Sequence, residues 1–259
     1  MEVKGKVVII TGASQGIGLA TARAFAQAGA KLVLAARSID KLETLAAELN
    51  AQGHGALALR TDMRDAAAVR AMITQAFGHY GRIDILINNA GQAAAGQVAT
   101  VNPEYYRQII ELNVFGPLHA IQAIVPLMRQ TGGGLIINVS SMVSKMNIPG
   151  LGAYASTKSA LNMLSDTARV ELAADNIRVI TVFPRMTSTD FGRNSLGDER
   201  MRQQQRAEST QRAESTQRAE GTQRAAPPAA QRPIVDTAEH VAARILLAAQ
   251  TEPKEQYME

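Results

Sequence analysis

The sequence predicts an α/β fold, a single-domain doubly wound parallel sheet with helices on both faces. Its 259 residues fit one large domain of this class. Short apolar runs rich in Val, Ile and Leu alternate along the chain with longer amphipathic stretches. Strands that alternate with helices form right-handed crossovers, which place parallel strands side by side and cover both faces of the sheet.

Six apolar runs are predicted to be buried strands because they are short and bounded by turn residues. They cover residues 6–11, 31–36, 55–61, 84–88, 134–140 and 177–183. Helical patterns lie between them at 17–28, 39–51, 65–78, 103–129 and 153–174. A last amphipathic helix is predicted at 237–249, with Asp236 as its N-cap and Glu239 completing a capping box.

Residues 190–232 differ from the rest of the chain in composition. The hexapeptide QRAEST and its variants repeat from residue 205 to residue 225, and the repeat contains no large apolar side chain. Six residues advance a helix by about 600°, so the repeat presents no constant apolar face. Within a domain that spans residues 1–259, we therefore expect this segment to be a polar, mobile lid or insert.

The composition excludes several classes of function. The chain has no cysteine, and its four histidines lack metal-ligand spacing, so we expect no metal site. Half of the net charge of +4 comes from residues 198–232, which leaves no basic face for nucleic acid. The N-terminal apolar run is too short for a signal peptide, and no run of 18 apolar residues occurs. We therefore expect a cytoplasmic protein without a membrane span.

A glycine-rich loop, TGASQGIG (11–18), connects the first strand to the first helix. Glycines at this spacing allow a tight turn, the close approach of a pyrophosphate, and tight packing of helix on strand. The N-terminus of the helix offers N–H groups and partial positive charge to phosphates. The loop predicts nucleotide binding, and the alternative is a plain glycine-rich turn. Its predicted cofactor-binding residues are Gly12, Ser14, Gly16, Ile17 and Gly18.

The end of the second strand favours NADP(H) over NAD(H), although NAD(H) stays possible. A site specific for NAD usually has an acidic residue there, whereas this chain has Ala36 followed by Arg37. A guanidinium suits a 2′-phosphate through forked, charge-assisted hydrogen bonds, and the Ser14 hydroxyl would add a donor. The alternative is that Arg37 merely points to solvent.

The stretch AYASTKSA places Tyr154 and Lys158 one helical turn apart. A neighbouring ammonium favours the phenolate and so lowers the pKa of the phenol. The pair therefore predicts a proton donor and acceptor. The alternative is an ordinary exposed Tyr–Lys pair.

Three motifs in this order, TGASQGIG, NNAG (88–91) and YASTK (154–158), resemble the short-chain dehydrogenase/reductase family. The resemblance is dense over residues 4–191. It implies a single-domain Rossmann fold that transfers hydride between NAD(P)H and a small-molecule carbonyl compound or alcohol. It also implies a homodimer or a homotetramer.

The resemblance implies four catalytic residues: Asn113, Ser141, Tyr154 and Lys158. Tyr154 would give a proton to the carbonyl oxygen, Ser141 would orient that oxygen, and Lys158 would lower the pKa of the phenol and bind the nicotinamide ribose. Asn113 would anchor a water beside Lys158, because Pro117 leaves its carbonyl without the usual helical donor. Ser141 is preferred to Ser140 because it stands thirteen positions before Tyr154. Further implied cofactor contacts are Asp62, Met63, Asn89, Ala90, Gly91, Pro184, Thr187 and Thr189.

Two positions depart from the family pattern. Arg185 replaces the glycine that usually follows Pro184, and it either reaches the mouth of the active site, favouring an anionic substrate, or points outward. The C-terminal EPKEQYME lacks the glycine-rich last strand of the family's tetrameric acyl-carrier-protein reductases.

We predict that seven residues close to the motifs line the substrate pocket. Most of them are apolar, which suits a hydrophobic or medium-sized carbonyl compound. They are Gln92, Met142, Met146, Ile148, Leu151, Met186 and Phe191. The methionines would serve equally well as core filler. The sequence thus predicts a carbonyl reductase or alcohol dehydrogenase, and the alternative is an NADP(H)-binding sensor or scaffold without turnover.

Overall fold

The computed structural model describes residues 1–197 and 235–258, and its main sheet has seven parallel strands. These strands are β1 (Val7–Thr11), β2 (Lys31–Ala36), β3 (Ala56–Arg60), β4 (Ile85–Asn88), β6 (Gly134–Val139), β7 (Ile177–Phe183) and β9 (Glu255–Tyr257). Their order across the sheet is β3-β2-β1-β4-β6-β7-β9. A second sheet pairs β5 (Ala94–Ala95) with β8 (Leu196–Gly197).

Helices cover both faces of the main sheet, so the predicted doubly wound class is confirmed. One face carries α1 (Gly16–Gln27), α2 (Ile39–Ala51) and α7 (Ala238–Thr251). The other carries α3 (Ala66–Tyr80), α5 (Gly116–Gln130) and α6 (Gly152–Glu171), whereas α4 (Pro103–Ile110) packs its Ile109 in a third cluster with Ala94 and Tyr154. Alternate side chains of each strand enter opposite cores: Val8 and Ile10 lie in the first, and Ile9 lies in the second.

Near the C-terminus the structure adds a strand that was not predicted, and the predicted N-cap of the last helix is wrong. Glu255–Tyr257 forms a seventh strand beside β7, and the Tyr257 ring stacks on Phe183 with centroids 4.9 Å apart. This strand has only three residues, most of them polar, so the sequence contains no apolar run that would predict it. The N-cap of α7 is Thr237, whose hydroxyl accepts the N–H of His240 at 3.1 Å, because the Asp236 carboxylate is bound by Arg185.

The predicted helix 103–129 contains a π turn at Glu111–Phe115, between α4 and α5. There the N–H of Gly116 donates to the carbonyl of Glu111, five residues back. This wider turn lies where Pro117 lacks an N–H. By length and composition Pro103–Gln130 would be able to cross a membrane, with a mean hydropathy of 1.3. Its residues Ile121 and Ile124 nevertheless pack in the sheet core, as a core helix does.

The topology opens a crevice at the carboxyl edge of the sheet. From β1 the chain continues outward to β2 and β3, and β4 then lies on the other side of β1. In doubly wound sheets the loops diverge at such a switch point and leave room for a ligand. The glycine loop, NNAG, Ser141 and residues 184–189 all follow strands that end at this edge. The predicted insert 190–232 lies outside the described residues from residue 198 onward.

Candidate active site

The glycine loop fits the pyrophosphate of a dinucleotide. Gly12 and Gly16 have φ of +69° and +54°, which favour glycine, and a Cβ on Gly18 would lie 2.2 Å from the carbonyl oxygen of Gly12. Helix α1 therefore packs directly on the loop. Its first turn carries no acidic residue, and its N-cap Gln15 makes no side-chain capping bond. The N–H groups of that turn are thus suited to an anion.

The NNAG turn is bonded to the glycine loop. The Thr11 hydroxyl accepts the N–H groups of Asn89 and Ala90, each at 3.0 Å, and the Asn89 amide donates to the Thr11 carbonyl at 2.9 Å. Inside the sheet, Asn88 donates to Asn138 at 2.8 Å. The Asn89 side chain thus fixes the turn to the end of β1, at the wall of the crevice. This role of Thr11 was not predicted from the sequence, although Thr11 is the first residue of the motif TGASQGIG.

Two arginines flank the position predicted for the adenine end of a cofactor. Arg37 is exposed, and it lines the crevice together with Asp62 and Arg64. Arg64 binds the Asp62 carboxylate, with NH2 and Oδ2 2.6 Å apart. This hydrogen bond, helped by the charge of Arg37, holds the pKa of Asp62 below its usual value. A role for Arg64 was not predicted from the sequence. Its position two residues after Asp62 was the feature of the sequence that indicated one.

Tyr154 lines the crevice from α6, and the Ser141 side chain beside it acts to lower the pKa of the phenol. Ser141 is also the N-cap of a short 3-10 turn, Met142–Lys145, where its Oγ accepts the N–H of Val143 at 3.3 Å. The neighbouring Ser140 also borders the crevice, but its hydroxyl donates to the Asn162 amide oxygen at 2.6 Å. Of the two adjacent serines, Ser141 is the one beside the phenol.

Lys158 is buried next to Tyr154, but its ammonium binds a backbone carbonyl. Nζ donates to the oxygen of Val139 at 2.8 Å and lies 6.0 Å from the centroid of the Tyr154 ring. Burial lowers the pKa of Lys158 to about 8. Burial also raises the pKa of the Tyr154 phenol, and the neighbouring Ser141 side chain opposes this rise. The expected lowering of the phenol pKa is therefore not met, and a neutral phenol, the form that a general acid needs, prevails at neutral pH.

The buried lysine makes stability depend on pH. Its pKa falls from 10.5 to about 8 on folding, so between these values the unfolded chain binds more protons. The cost of burial is fully present below pH 8 and disappears above pH 10.5. From pH 7 to pH 10, we expect the free energy of unfolding to rise by about 2–3 kcal/mol relative to Lys158→Met. Urea denaturation at several pH values measures this difference, and a constant difference would contradict the lowered pKa.

Asn113 lies behind the crevice wall, fully buried. Its Oδ1 accepts the N–H of Gln92 at 3.0 Å, and its Nδ2 donates to the Gln92 carbonyl at 2.8 Å and to Thr157 Oγ1 at 3.0 Å. A Cβ on Gly91 would lie 3.3 Å from Asn113 Oδ1 and 3.5 Å from Lys158 Nζ. Asn113 therefore holds the chain after NNAG and stands close to the ammonium.

The segment after β7 crosses the substrate side of the crevice. Thr189 reaches the glycine loop, since a Cβ on Gly16 would lie 3.3 Å from its Cγ2. The Phe191 ring lies 5.6 Å from the Tyr154 ring. Beyond it, the Gln92 amide donates to the carbonyl of Asn194 at 2.7 Å. Arg185 borders the crevice, as one of the two predicted courses required, but its guanidinium is paired with Asp236.

These surfaces form one groove of about 1960 Å³. Of the predicted site residues, Asn113 alone is absent from its lining. Besides those described above, the predicted residues that line the groove are Ser14, Ile17, Met63, Ala90, Gly91, Met142, Met146, Ile148, Leu151, Pro184, Met186 and Thr187. Within residues 1–197 and 235–258, no group of three or more His, Asp or Glu side chains is placed to hold a metal ion.

Comparison with known proteins agrees with this architecture. The model of the short chain dehydrogenase family matches residues 6–200. An uncharacterized oxidoreductase of Staphylococcus saprophyticus is 37% identical over 205 residues, which cover 78% of this chain and 82% of that protein.

Solved structures are similar as well. An alcohol dehydrogenase from the archaeon Thermococcus sibiricus, complexed with 5-hydroxy-NADP, has a TM-score of 0.78 and 27% identity, covering 98% of this chain and 96% of that one. A gluconate 5-dehydrogenase from Burkholderia cenocepacia, in complex with NADP and tartrate, has a TM-score of 0.71 and 33% identity, covering 73% and 74%. The chain belongs to the short-chain dehydrogenase family of oxidoreductases.

Proposed function

We propose that this oxidoreductase interconverts a carbonyl compound and its alcohol by NADP(H)-dependent hydride transfer, with Tyr154 as general acid and base. The observation that carries the proposal is the position of Tyr154 beside Ser141 in the same groove that the glycine loop lines. A bound nicotinamide cofactor supplies or accepts the hydride. The chain supplies the proton and the geometry.

Each part of the groove has a role in this proposal. The glycine loop and the N-terminus of α1 hold the pyrophosphate. Asp62 and Met63 bind the adenine end, Lys158 binds the ribose next to the nicotinamide, and Thr187 and Thr189 bind the carboxamide. In the reducing direction, neutral Tyr154 donates its proton to the carbonyl oxygen while Ser141 donates a hydrogen bond to the same oxygen. In the oxidising direction Tyr154 takes the proton back.

Arg37 is the proposed source of the preference for NADP(H). Its loss removes charge-assisted hydrogen bonds worth about 1.5–3 kcal/mol, so we expect Arg37→Ala to weaken NADPH binding roughly tenfold to a hundredfold. NADH lacks the 2′-phosphate, and its Kd should change little. Fluorescence titration with both cofactors measures the two constants.

Arg60→Ala is the matched control for Arg37→Ala. Arg60 is also an exposed arginine, at the end of the neighbouring strand β3, and it is not among the described residues that line the groove. This variant should bind both cofactors normally. Equal losses of NADPH and NADH affinity in Arg37→Ala would contradict a contact with the 2′-phosphate.

The groove suits an uncharged, hydrophobic substrate of medium size. Apolar side chains surround the end that Tyr154 lines: Met142, Met146, Ile148, Leu151, Met186 and Phe191. The cation that would have favoured an anionic substrate, Arg185, is paired with Asp236. A homodimer or homotetramer and a cytoplasmic location stay predictions, and size-exclusion chromatography with light scattering tests the first.

A panel of aldehydes and ketones tests the function. Oxidation of NADPH and of NADH is followed by absorbance for each compound, and the best turnover is expected with NADPH and an apolar carbonyl compound. If the wild type and Tyr154→Phe are equally inert on every carbonyl while the cofactor still binds, the non-catalytic sensor or scaffold is the correct alternative.

A further inference from the structure

Arg185 forms a forked ion pair with a carboxylate far along the chain. Its Nε lies 3.1 Å from Oδ2 of Asp236, and its NH2 lies 2.9 Å from Oδ1. The Asp236 side chain is only 5% exposed, whereas the Arg185 side chain is 28% exposed. Two parallel bonds of this kind fix direction as well as distance. The pair thus ties the chain directly after β7 to the residue that precedes the N-cap of α7.

Backbone hydrogen bonds strengthen the same junction. The N–H of Ser188 donates to the carbonyl of Asp236 at 2.9 Å, and the N–H of Asp236 donates to the carbonyl of Met186 at 2.8 Å. Thr187 and Asp236 form a parallel bridge. Thr187, which lines the groove, is therefore held by both neighbouring peptide groups and by the Arg185 side chain.

A second ion pair ties the other end of α7 to the other end of β7. Arg178, near the start of β7, donates from Nε to Glu252 Oε2 at 2.7 Å and from NH2 to Oε1 at 3.2 Å. Arg178 and Glu252 are not among the described residues that line the groove. The two pairs thus connect the same strand and helix by the same chemistry, but Arg185 and its segment border the groove.

We propose that Arg185 and Asp236 form a clamp that positions residues 184–189 at the nicotinamide end of the groove. Both are positioning residues, and the inference rests on the proposed function because it assumes a nicotinamide cofactor there. Glycine, the usual family residue, allows compact backbone conformations that arginine does not adopt. Here the forked pair holds the segment instead. Removing Arg185 would deprive the buried Asp236 carboxylate of its forked partner and leave His240, whose Nε2 lies 3.9 Å from Oδ1, so residues 184–189 would separate from α7.

The test compares Arg185→Ala with Arg178→Ala in the full chain. Fluorescence titration with NADPH gives Kd, steady-state kinetics give kcat and KM, and thermal melts give Tm. Both variants should lose a similar amount of thermal stability. Arg185→Ala should raise the Kd for NADPH about tenfold or more and lower kcat, whereas Arg178→Ala should leave both unchanged. Arg185→Lys keeps the charge without the fork and should restore part of the affinity.

The outcomes separate the clamp from the proposed function. If Arg185→Ala has the same Kd and kcat as Arg178→Ala, the clamp is wrong and the proposed function stands. If the wild type binds neither NADPH nor NADH, both fail. Should Arg185→Ala not fold, Arg185→Lys decides: a Kd and kcat equal to those of the wild type would overturn the clamp.

Discussion

Tyr154→Phe is expected to lower kcat by about 10²–10⁴-fold, the contribution typical of a general acid and base. The substitution removes the hydroxyl beside Ser141, and it keeps the ring whose centroid lies 5.6 Å from that of Phe191. Because the ring stays, we expect NADPH affinity to be nearly unchanged. Steady-state kinetics on the best carbonyl substrate measure kcat, and fluorescence titration measures Kd.

Tyr106→Phe is the matched control for this loss. The Tyr106 hydroxyl also lies beside a serine and is bonded to it, Ser156 of α6, at 2.8 Å, but Tyr106 does not line the described part of the groove. Removing it should leave kcat unchanged. Wild-type kcat in Tyr154→Phe would show that the phenol does not transfer the proton.

Gly18→Ala is expected to abolish cofactor binding and to lower the free energy of unfolding by about 3 kcal/mol or more. The new Cβ would lie 2.2 Å from the Gly12 carbonyl oxygen and 2.6 Å from the Asn89 amide nitrogen. Neither atom moves easily, because Asn89 is bonded to the backbone of Thr11 and the Gly12 N–H donates to Ala35 at 2.7 Å. Helix α1 must therefore shift away from the loop. Urea denaturation and NADPH titration measure the two effects.

Gly78→Ala should have the opposite sign. Gly78 lies in α3, and a Cβ there meets no atom within 4 Å. Replacing an exposed helical glycine with alanine stabilises by about 0.5–1 kcal/mol. If both glycine variants prove more stable than the wild type, the close packing of α1 on the glycine loop is refuted.

The fold was largely predictable because buried strands and amphipathic helices leave long hydrophobic patterns. The failures occurred where a contact, not a pattern, decides the structure. The three residues of β9 are a strand because β7 offers a free edge and Phe183 offers a ring to stack on. Asp236 is not the N-cap because a guanidinium 51 positions earlier binds its carboxylate. A single sequence does not display such a pairing.

The site was predictable in its membership but less so in its electrostatics. The motifs lie at strand ends, and parallel strands bring those ends to one edge, so nearly all the predicted residues line a single groove. The spacing of Tyr154 and Lys158 also predicted that the two side chains are neighbours. It did not reveal that Val139 binds the ammonium, or that burial raises the phenol pKa. Burial depends on the whole fold, whereas spacing is local.

The β5–β8 pairing and the junction at Asp236 have an evolutionary consequence. They hold the chain at residues 196–197 on one side and at residue 236 on the other. The QRAEST units lie in sequence between these two anchoring points. Gain or loss of a unit by slippage during replication would leave both anchors in place. We therefore expect variants that differ in the number of units to retain the described walls of the groove.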